Sequence, residues 1–217
     1  MPEINIMNCD CMEWMRDKPD NYYDLAIVDI QYGIDQGGGK NHTRGKLATA
    51  KNYKDYGDKE TMPKEYHMEL KRVSKKQIIW GANHFIENIP AANSSSWIVW
   101  DKMNGKSDFA DCELAYTSHE SAVRKYTFRW AGMLQGDMKN KQIRIHPNEK
   151  PIQLYKWLLK NYATTGDKIL DTHGGSLTHA RAAHDMGFDL DIMDIDKDYY
   201  EAGLAAYNKH ISQLRMF

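Results

Sequence analysis

Two segments of this sequence set carboxylates beside residues that let a ligand come close. In residues 168–176, Lys-Ile-Leu-Asp-Thr-His-Gly-Gly-Ser, an apolar run ends in Asp171 and passes into Gly174 and Gly175. Glycines at the carboxyl end of a parallel strand admit a ligand to the backbone where a Cβ would exclude it. The next apolar run ends at Asp194, about 20 residues on, a spacing at which a carboxylate accepts hydrogen bonds from both hydroxyls of a ribose. Neither feature is specific alone: glycines also serve helix starts, and Asp191, Asp196 and Asp198 crowd the same stretch. Together they point to a nucleoside site. The third glycine of G-x-G-x-x-G is missing and there is no Ser/Thr-Lys phosphate loop, so a ligand without phosphate is favoured. The second segment, Asp29-Ile30-Gln31-Tyr32-Gly33, places a carboxylate and an aromatic at the end of another apolar run.

The elements that must position these groups follow from periodicity. Residues 24–29 read as a buried parallel strand, and 4–7, 77–80, 97–101, 112–117 and 123–130 as further strands. Residues 12–16 and 62–73 have helical spacing. After Pro151 the alternation is regular: helix 151–162, strand 168–171, helix 176–186, strand 188–194 and helix 198–214, the order of a right-handed parallel α/β unit. The expectation is one α/β domain over residues 1–217, with about seven mostly parallel strands and helices on both faces.

Composition limits the function. At 217 residues and 41% hydrophobic content, the chain buries roughly 70% of its unfolded surface, enough for one core. Its 29 basic and 30 acidic residues nearly cancel, so any contact with a polyanion must be local. Cys9, Cys11 and Cys112 form neither a disulfide framework nor a four-ligand zinc pattern, which fits a reducing compartment. The N-terminus lacks a signal-peptide pattern and no run reaches the ~20 apolar residues of a membrane span. A soluble cytoplasmic protein is expected.

Several motifs together give the chain a resemblance over nearly its full length. They are Asn8-Cys-Asp-Cys11, Asp29 with Tyr32, Trp80-Gly-Ala-Asn83, Trp97-Ile-Val-Trp-Asp-Lys102, His146-Pro-Asn-Glu-Lys-Pro151 and Asp171-Thr-His-Gly-Gly-Ser176. The sequence resembles the DNA methyltransferases that act on exocyclic amino groups, with the motif order of their permuted class, small phage and bacterial enzymes among them. Those enzymes carry Asp-Pro-Pro-Tyr at the place of residues 29–32, and the His-Pro-x-x-Lys-Pro block is the most specific match. The resemblance implies a Rossmann-like fold binding S-adenosylmethionine, which offers a ribose to Asp194 and an α-amino group to Asp171 without a phosphate. It implies Asp10 near the adenine ring, Lys150 near the methionine carboxylate or ribose, and His173, Gly174, Gly175 and Ser176 along the cofactor turn. It also implies that the Asp29 carboxylate and the Ile30 carbonyl accept the two amino hydrogens while Tyr32 stacks on a flipped base, with adenine N6 the expected target. Cytosine C5 chemistry needs a thiolate, commonly presented after a proline, and none of the six prolines precedes a cysteine.

Two departures stand out. Ile30 and Gln31 replace both prolines of Asp-Pro-Pro-Tyr, loosening the turn without removing a functional group, and Leu177 replaces the second glycine of the cofactor turn. Alternative readings therefore stay open: cytosine N4 as target, a degenerate relative that binds DNA or cofactor without turnover, and an RNA or free-base substrate. Bland roles compete too. Asp10 suits a helix N-cap, His146 a turn, His173 a packing role beneath the glycines, and Trp97, Trp100 and Trp130 a core. For nucleic-acid contact the candidates are Lys40, Arg44, Lys46, Lys51 and Lys54, interleaved with Tyr53 and Tyr56 in a mobile target-contacting loop over residues 33–61, with Lys139, Lys141 and Arg144 beside them. The expected partner is double-stranded DNA with a flipped base. Monomer and homodimer are both compatible with the sequence.

Overall fold

The computed structural model describes all residues except 35–58, 93–94, 106–109, 132–133, 143, 146–147 and 214–217. Lys40, Arg44, Lys46, Lys51, Lys54, Tyr53, Tyr56, His146 and nearly all of the expected contact loop lie outside the described residues. Ten strands and five α-helices are described. They run β1 (Ile4–Met7), α1 (Cys11–Arg16), β2 (Tyr23–Val28), α2 (Lys64–Val73), β3 (Ser74–Trp80), β4 (Trp97–Asp101), β5 (Cys112–Thr117), β6 (Arg124–Thr127), β7 (Trp130–Ala131), β8 (Leu134–Gln135), α3 (Ile152–Tyr162), β9 (Lys168–Asp171), α4 (Thr178–Met186), β10 (Asp189–Met193) and α5 (Lys197–Ile211).

Eight strands form one sheet in the order β1-β10-β9-β2-β3-β5-β4-β6, and β7 pairs with β8. The sheet is thus one strand wider than expected. β5 alone runs against its neighbours, β3 and β4, and the other pairings are parallel. The expected strand 123–130 divides: β6 ends at Thr127, and Trp130 begins the separate hairpin, its indole nitrogen donating to the Glu149 carbonyl at 2.8 Å. Of the helices, 198–214 is shorter than expected, closing at Ile211.

Both faces of the sheet are covered. Along β2, Leu25 and Ile27 pack with Leu154, Leu158 and Leu159 of α3 and the alanines of α4, whereas Ala26 and Val28 pack with Met15 of α1 and Tyr66, Leu70 and Val73 of α2. Successive side chains of a strand point to opposite faces, so a strand buried on both must be apolar throughout, as residues 25–28 are. Trp80 and Trp100 meet edge to face at 6.3 Å inside this core and Trp130 is buried beside them, the packing role expected of the tryptophans. Trp97 is half-buried against Tyr116. No described helix is long and apolar enough to cross a membrane.

The turn after β9 explains how Leu177 replaces a glycine. Leu177 caps α4 with φ +52°, a left-handed conformation that costs a leucine about 1 kcal/mol. Its side chain is fully buried against Gly203 of α5 and Gly174, where a Cβ would lie 2.7 Å from Leu177 Cγ and 2.7 Å from Leu177 Cδ2 respectively. Burial of the isobutyl group, worth roughly 2 kcal/mol, offsets the backbone strain, and Gly203 supplies the space. Gly203→Ala should therefore lower the unfolding free energy by about 1–3 kcal/mol in urea titrations; unchanged stability would show that Leu177 is not seated this way.

Candidate active site

Parallel pairing of Leu25 with Ile169 and Ala26 with Leu170 sets β2 and β9 side by side. Asp29 and Asp171 therefore emerge from neighbouring strands at the same carboxyl edge, where open parallel sheets place their ligands. Tyr155, in the first turns of α3, lies between them. Burial, with the negative charges of Asp171, Asp29 and Glu113, pushes its phenol well above the ordinary range.

Around Asp29 the charges form a network. Lys150 makes an ion pair with Asp29 Oδ1 and a second with Glu113 Oε2 at 3.2 Å, and Lys102 pairs with Glu113 Oε1. The Tyr32 hydroxyl donates to Asp29 Oδ1 at 2.9 Å and lies 3.4 Å from Glu113 Oε2, and Lys150 Nζ donates to that hydroxyl at 3.1 Å. Two carboxylates and two ammoniums balance, which permits the side chain of Lys150 to be only 3% exposed. Nζ also lies 5.3 Å from the ring centre of Trp80, a favourable cation–π contact. Burial raises the Asp29 carboxyl, a tendency the Lys150 charge opposes. At Glu113 burial also acts to raise the pKa, but Lys150 and Lys102 prevail and hold it at about 2.

Neighbouring elements fix this geometry. The Ile30 side chain is buried in the core with Ala82 and Phe85, so burial anchors the turn that prolines would stiffen covalently. Tyr32 stacks on His84 at 5.4 Å and 19° and bridges to Thr61. Gly81, at φ +70°, passes so close beneath Tyr32 that a Cβ would lie 2.1 Å from ring carbon Cε1. Glu149 positions its neighbour Lys150: one carboxylate oxygen accepts from the Ile145 amide at 2.8 Å, and the other from Thr178 Oγ1 and Arg181, each at 3.2 Å.

On the adjoining side, Asp171 Oδ1 accepts the His173 amide at 3.1 Å, and Oδ2 meets Nδ1 of the fully buried His179 at 2.9 Å. His179 in turn stacks on Tyr155 at 4.6 Å. Asp194 receives the amides of Gly175 at 2.7 Å and Asp196 at 2.8 Å, while burial raises its carboxyl above the ordinary value. Asp10 caps α1, accepting from the Met12 amide at 2.7 Å and the Glu13 amide at 3.2 Å. It follows β1, which pairs with β10, so it stands at the same edge as Asp194. His173 packs edge-on against Tyr66 and its Nδ1 contacts Thr172 Oγ1 at 2.9 Å; burial lowers its pKa to about 4, leaving the ring neutral.

The two expected groups thus share one edge: Asp29, Ile30 and Tyr32 on one side, Asp10, Asp171, His173, Gly174, Gly175 and Asp194 on the other. The Lys150 ammonium sits on Asp29 and Glu113, and the hydroxyl of buried Ser176 lies 2.8 Å from Thr178 Oγ1. Arg144 lies over the Trp130 ring at 4.5 Å. Glu113 and His179 were not singled out from the sequence. A carboxylate opening the apolar run 113–117 was the available signal for Glu113; nothing local marks His179.

The family model described as DNA methylase, for N6 and N4 methyltransferases, matches residues 46–206, which include the Lys150 block and the Asp171 turn and begin after Tyr32. The chain is similar to the crystal structure of the M1.HpyAVI–SAM complex, with 17% identity over 94% of this chain and 99% of that one and a TM-score of 0.55. It is also similar to the cytosine-N4-specific PvuII DNA methyltransferase, with 10% identity over 100% of this chain and 89% of that one and a TM-score of 0.61. At such identities these two likenesses establish the fold. The family match spans well over half of the sequence, and on that ground the chain belongs to the N6/N4 DNA methylase family, whose methyl donor is S-adenosylmethionine.

Proposed function

We propose that this protein methylates adenine N6 in DNA, with Asp29, the Ile30 carbonyl and Tyr32 as the groups that handle the target base. The observation carrying this reading is the placement of Asp29 and Tyr32 one strand away from the Asp171 glycine turn, on the same sheet edge. An exocyclic amino nitrogen is a poor nucleophile because its lone pair is delocalised into the ring. Two acceptors for its hydrogens, a carboxylate and a carbonyl, draw it toward tetrahedral geometry and aim the lone pair. Burial strengthens Asp29 as an acceptor by raising its basicity. As the N–C bond forms, Asp29 and the solvent beyond it take the proton that the nitrogen releases. The ring of Tyr32, braced by Gly81 and His84, supplies the face on which an extruded base stacks.

The donor set suits the cofactor. Carboxylates at Asp171 and Asp194 flank a glycine turn, an arrangement that repels phosphate and accepts hydrogen bonds from an α-ammonium and from ribose hydroxyls. Asp171, Asp194, the backbone of Gly174 and Gly175, and Asp10 near the adenine ring would hold S-adenosylmethionine. When bound, S-adenosylmethionine supplies an electrophilic methyl group whose bond to sulfur breaks with the electron pair going to sulfur. DNA phosphates fall to the basic residues around Lys40, Arg44, Lys46, Lys51 and Lys54 and to Lys139, Lys141 and Arg144.

The test is to incubate the protein with radiolabelled S-adenosylmethionine and mixed-sequence unmethylated DNA, digest, and identify the labelled nucleosides. N6-methyladenine is the expected product. N4-methylcytosine would transfer the mechanism to the other base, and absence of label despite cofactor binding would favour a non-catalytic relative. Gly81→Ala provides a second check. Its methyl group displaces the Tyr32 ring, and the single-turnover rate should fall roughly 10–100-fold while cofactor affinity stays at the wild-type value; an unaltered rate would exclude Tyr32 as the stacking platform.

A further inference from the structure

We propose that Glu113 is a positioning residue for methyl transfer: it receives the Lys150 ammonium and the Tyr32 hydroxyl when the target amino group takes Asp29. The inference rests on the reading of Asp29 given above. In the arrangement described, both donors converge on Asp29 Oδ1, the group an entering amino nitrogen must engage. Neither can be discarded cheaply. The Lys150 side chain is 3% exposed, and an ammonium at that depth is strongly disfavoured without a carboxylate.

The structure offers both donors the same second acceptor. Glu113 Oε2 lies 3.2 Å from Lys150 Nζ and 3.4 Å from the Tyr32 hydroxyl, so a short pivot, with no rearrangement of backbone, transfers them. Lys102 occupies the other oxygen, Oε1, which leaves Oε2 directed at the exchange and keeps Glu113 ionised. Trp80 lies beside the ammonium, its ring centre 5.3 Å from Nζ. Glu113 needs no contact with base or cofactor to do this; it acts through Lys150 and Tyr32.

The experiment is a double-mutant cycle on the full chain: wild type, Glu113→Gln, Lys150→Met and the double variant, each with single-turnover methylation of DNA and calorimetric cofactor binding. Glu113→Gln confines Lys150 to Asp29, and the rate should fall roughly 10–100-fold at unchanged cofactor affinity. In the double variant no ammonium competes for Asp29, so it should be several-fold faster than Glu113→Gln and equal to Lys150→Met. A Glu113→Gln rate at the wild-type level, or a double variant no faster than that single one, would overturn the proposal and leave the Asp29 reading standing. Should Glu113→Gln fail to fold, the charge-balanced double variant decides, because a rate well below that of Lys150→Met would mean that Glu113 acts by another route. A wild type that binds cofactor and transfers no methyl would remove the Asp29 reading and this inference together.

Discussion

Asp29→Ala is expected to lower the single-turnover rate by roughly 10³-fold, the scale on which loss of one preorganised polar partner of the reacting group is felt. The substitution removes the acceptor that localises the amino lone pair and leaves the Ile30 carbonyl as the remaining one. Cofactor binding should persist, because Asp171, Gly175 and Asp194 hang from β9 and β10 and do not bond to Asp29. The fold should persist too, since Lys150 retains Glu113 at 3.2 Å. Labelled-methyl transfer under single turnover, paired with calorimetric titration of S-adenosylmethionine, separates these effects. A variant keeping more than about a tenth of the rate would exclude Asp29 from the chemistry, since a reacting-group contact is worth more than that.

The largest effect on stability should come from Lys150→Met. Its removal leaves Asp29 with the Tyr32 hydroxyl and Glu113 with Lys102, two partly buried carboxylates sharing one cation where there were two. With side-chain exposures of 18% and 22%, the carboxylates keep some hydration, and the expected loss at neutral pH is about 3 kcal/mol, the lower end of the range for breaking a buried pair. The loss should depend on pH. In the wild type Glu113 is held at about 2 against an ordinary 4.5, so its contribution is complete above pH 4.5 and is lost as pH falls toward 2. Asp29 has the opposite sign: its carboxyl is raised above the ordinary 3.8, and such a group favours the fold below 3.8 and less so as pH rises through its folded value. Without Lys150 that elevation grows. The deficit of the variant should therefore be smaller at pH 4 than at neutral pH. Urea denaturation at both ends of that interval measures it, and an equal deficit at both would mean that Lys150 stabilises through packing alone.

Much of this was legible in the amino-acid sequence because it is written locally. A run such as Leu25-Ala-Ile-Val28 that is apolar on both faces can only be a doubly covered strand, and an apolar run ending in Asp171 before two glycines carries its ligand edge with it. Helices α3 to α5 and strands β9 and β10 followed from periodicity and from turn residues, with boundaries off by one to three residues where caps decide them. The division of residues 123–130 was not local: it depends on where Trp130 finds a buried partner for its indole nitrogen, in Glu149.

The candidate site divides along the same line. That Asp29 and Tyr32 end one strand, that Asp171, Gly174 and Gly175 end another, and that Asp194 closes a third can be read from residue order, because side-chain type at a strand terminus is a property of neighbours along the chain. Tertiary structure alone decided that Lys150 pairs with Asp29 and Glu113, that His179 sits on Asp171, and that Leu177 turns inward onto Gly203. A buried charge goes to whichever opposite charge the packed elements bring within about 4 Å, since the desolvation cost leaves it no other stable place. Which elements are brought together is settled by the order of strands in the sheet, and no local pattern in the sequence records that order.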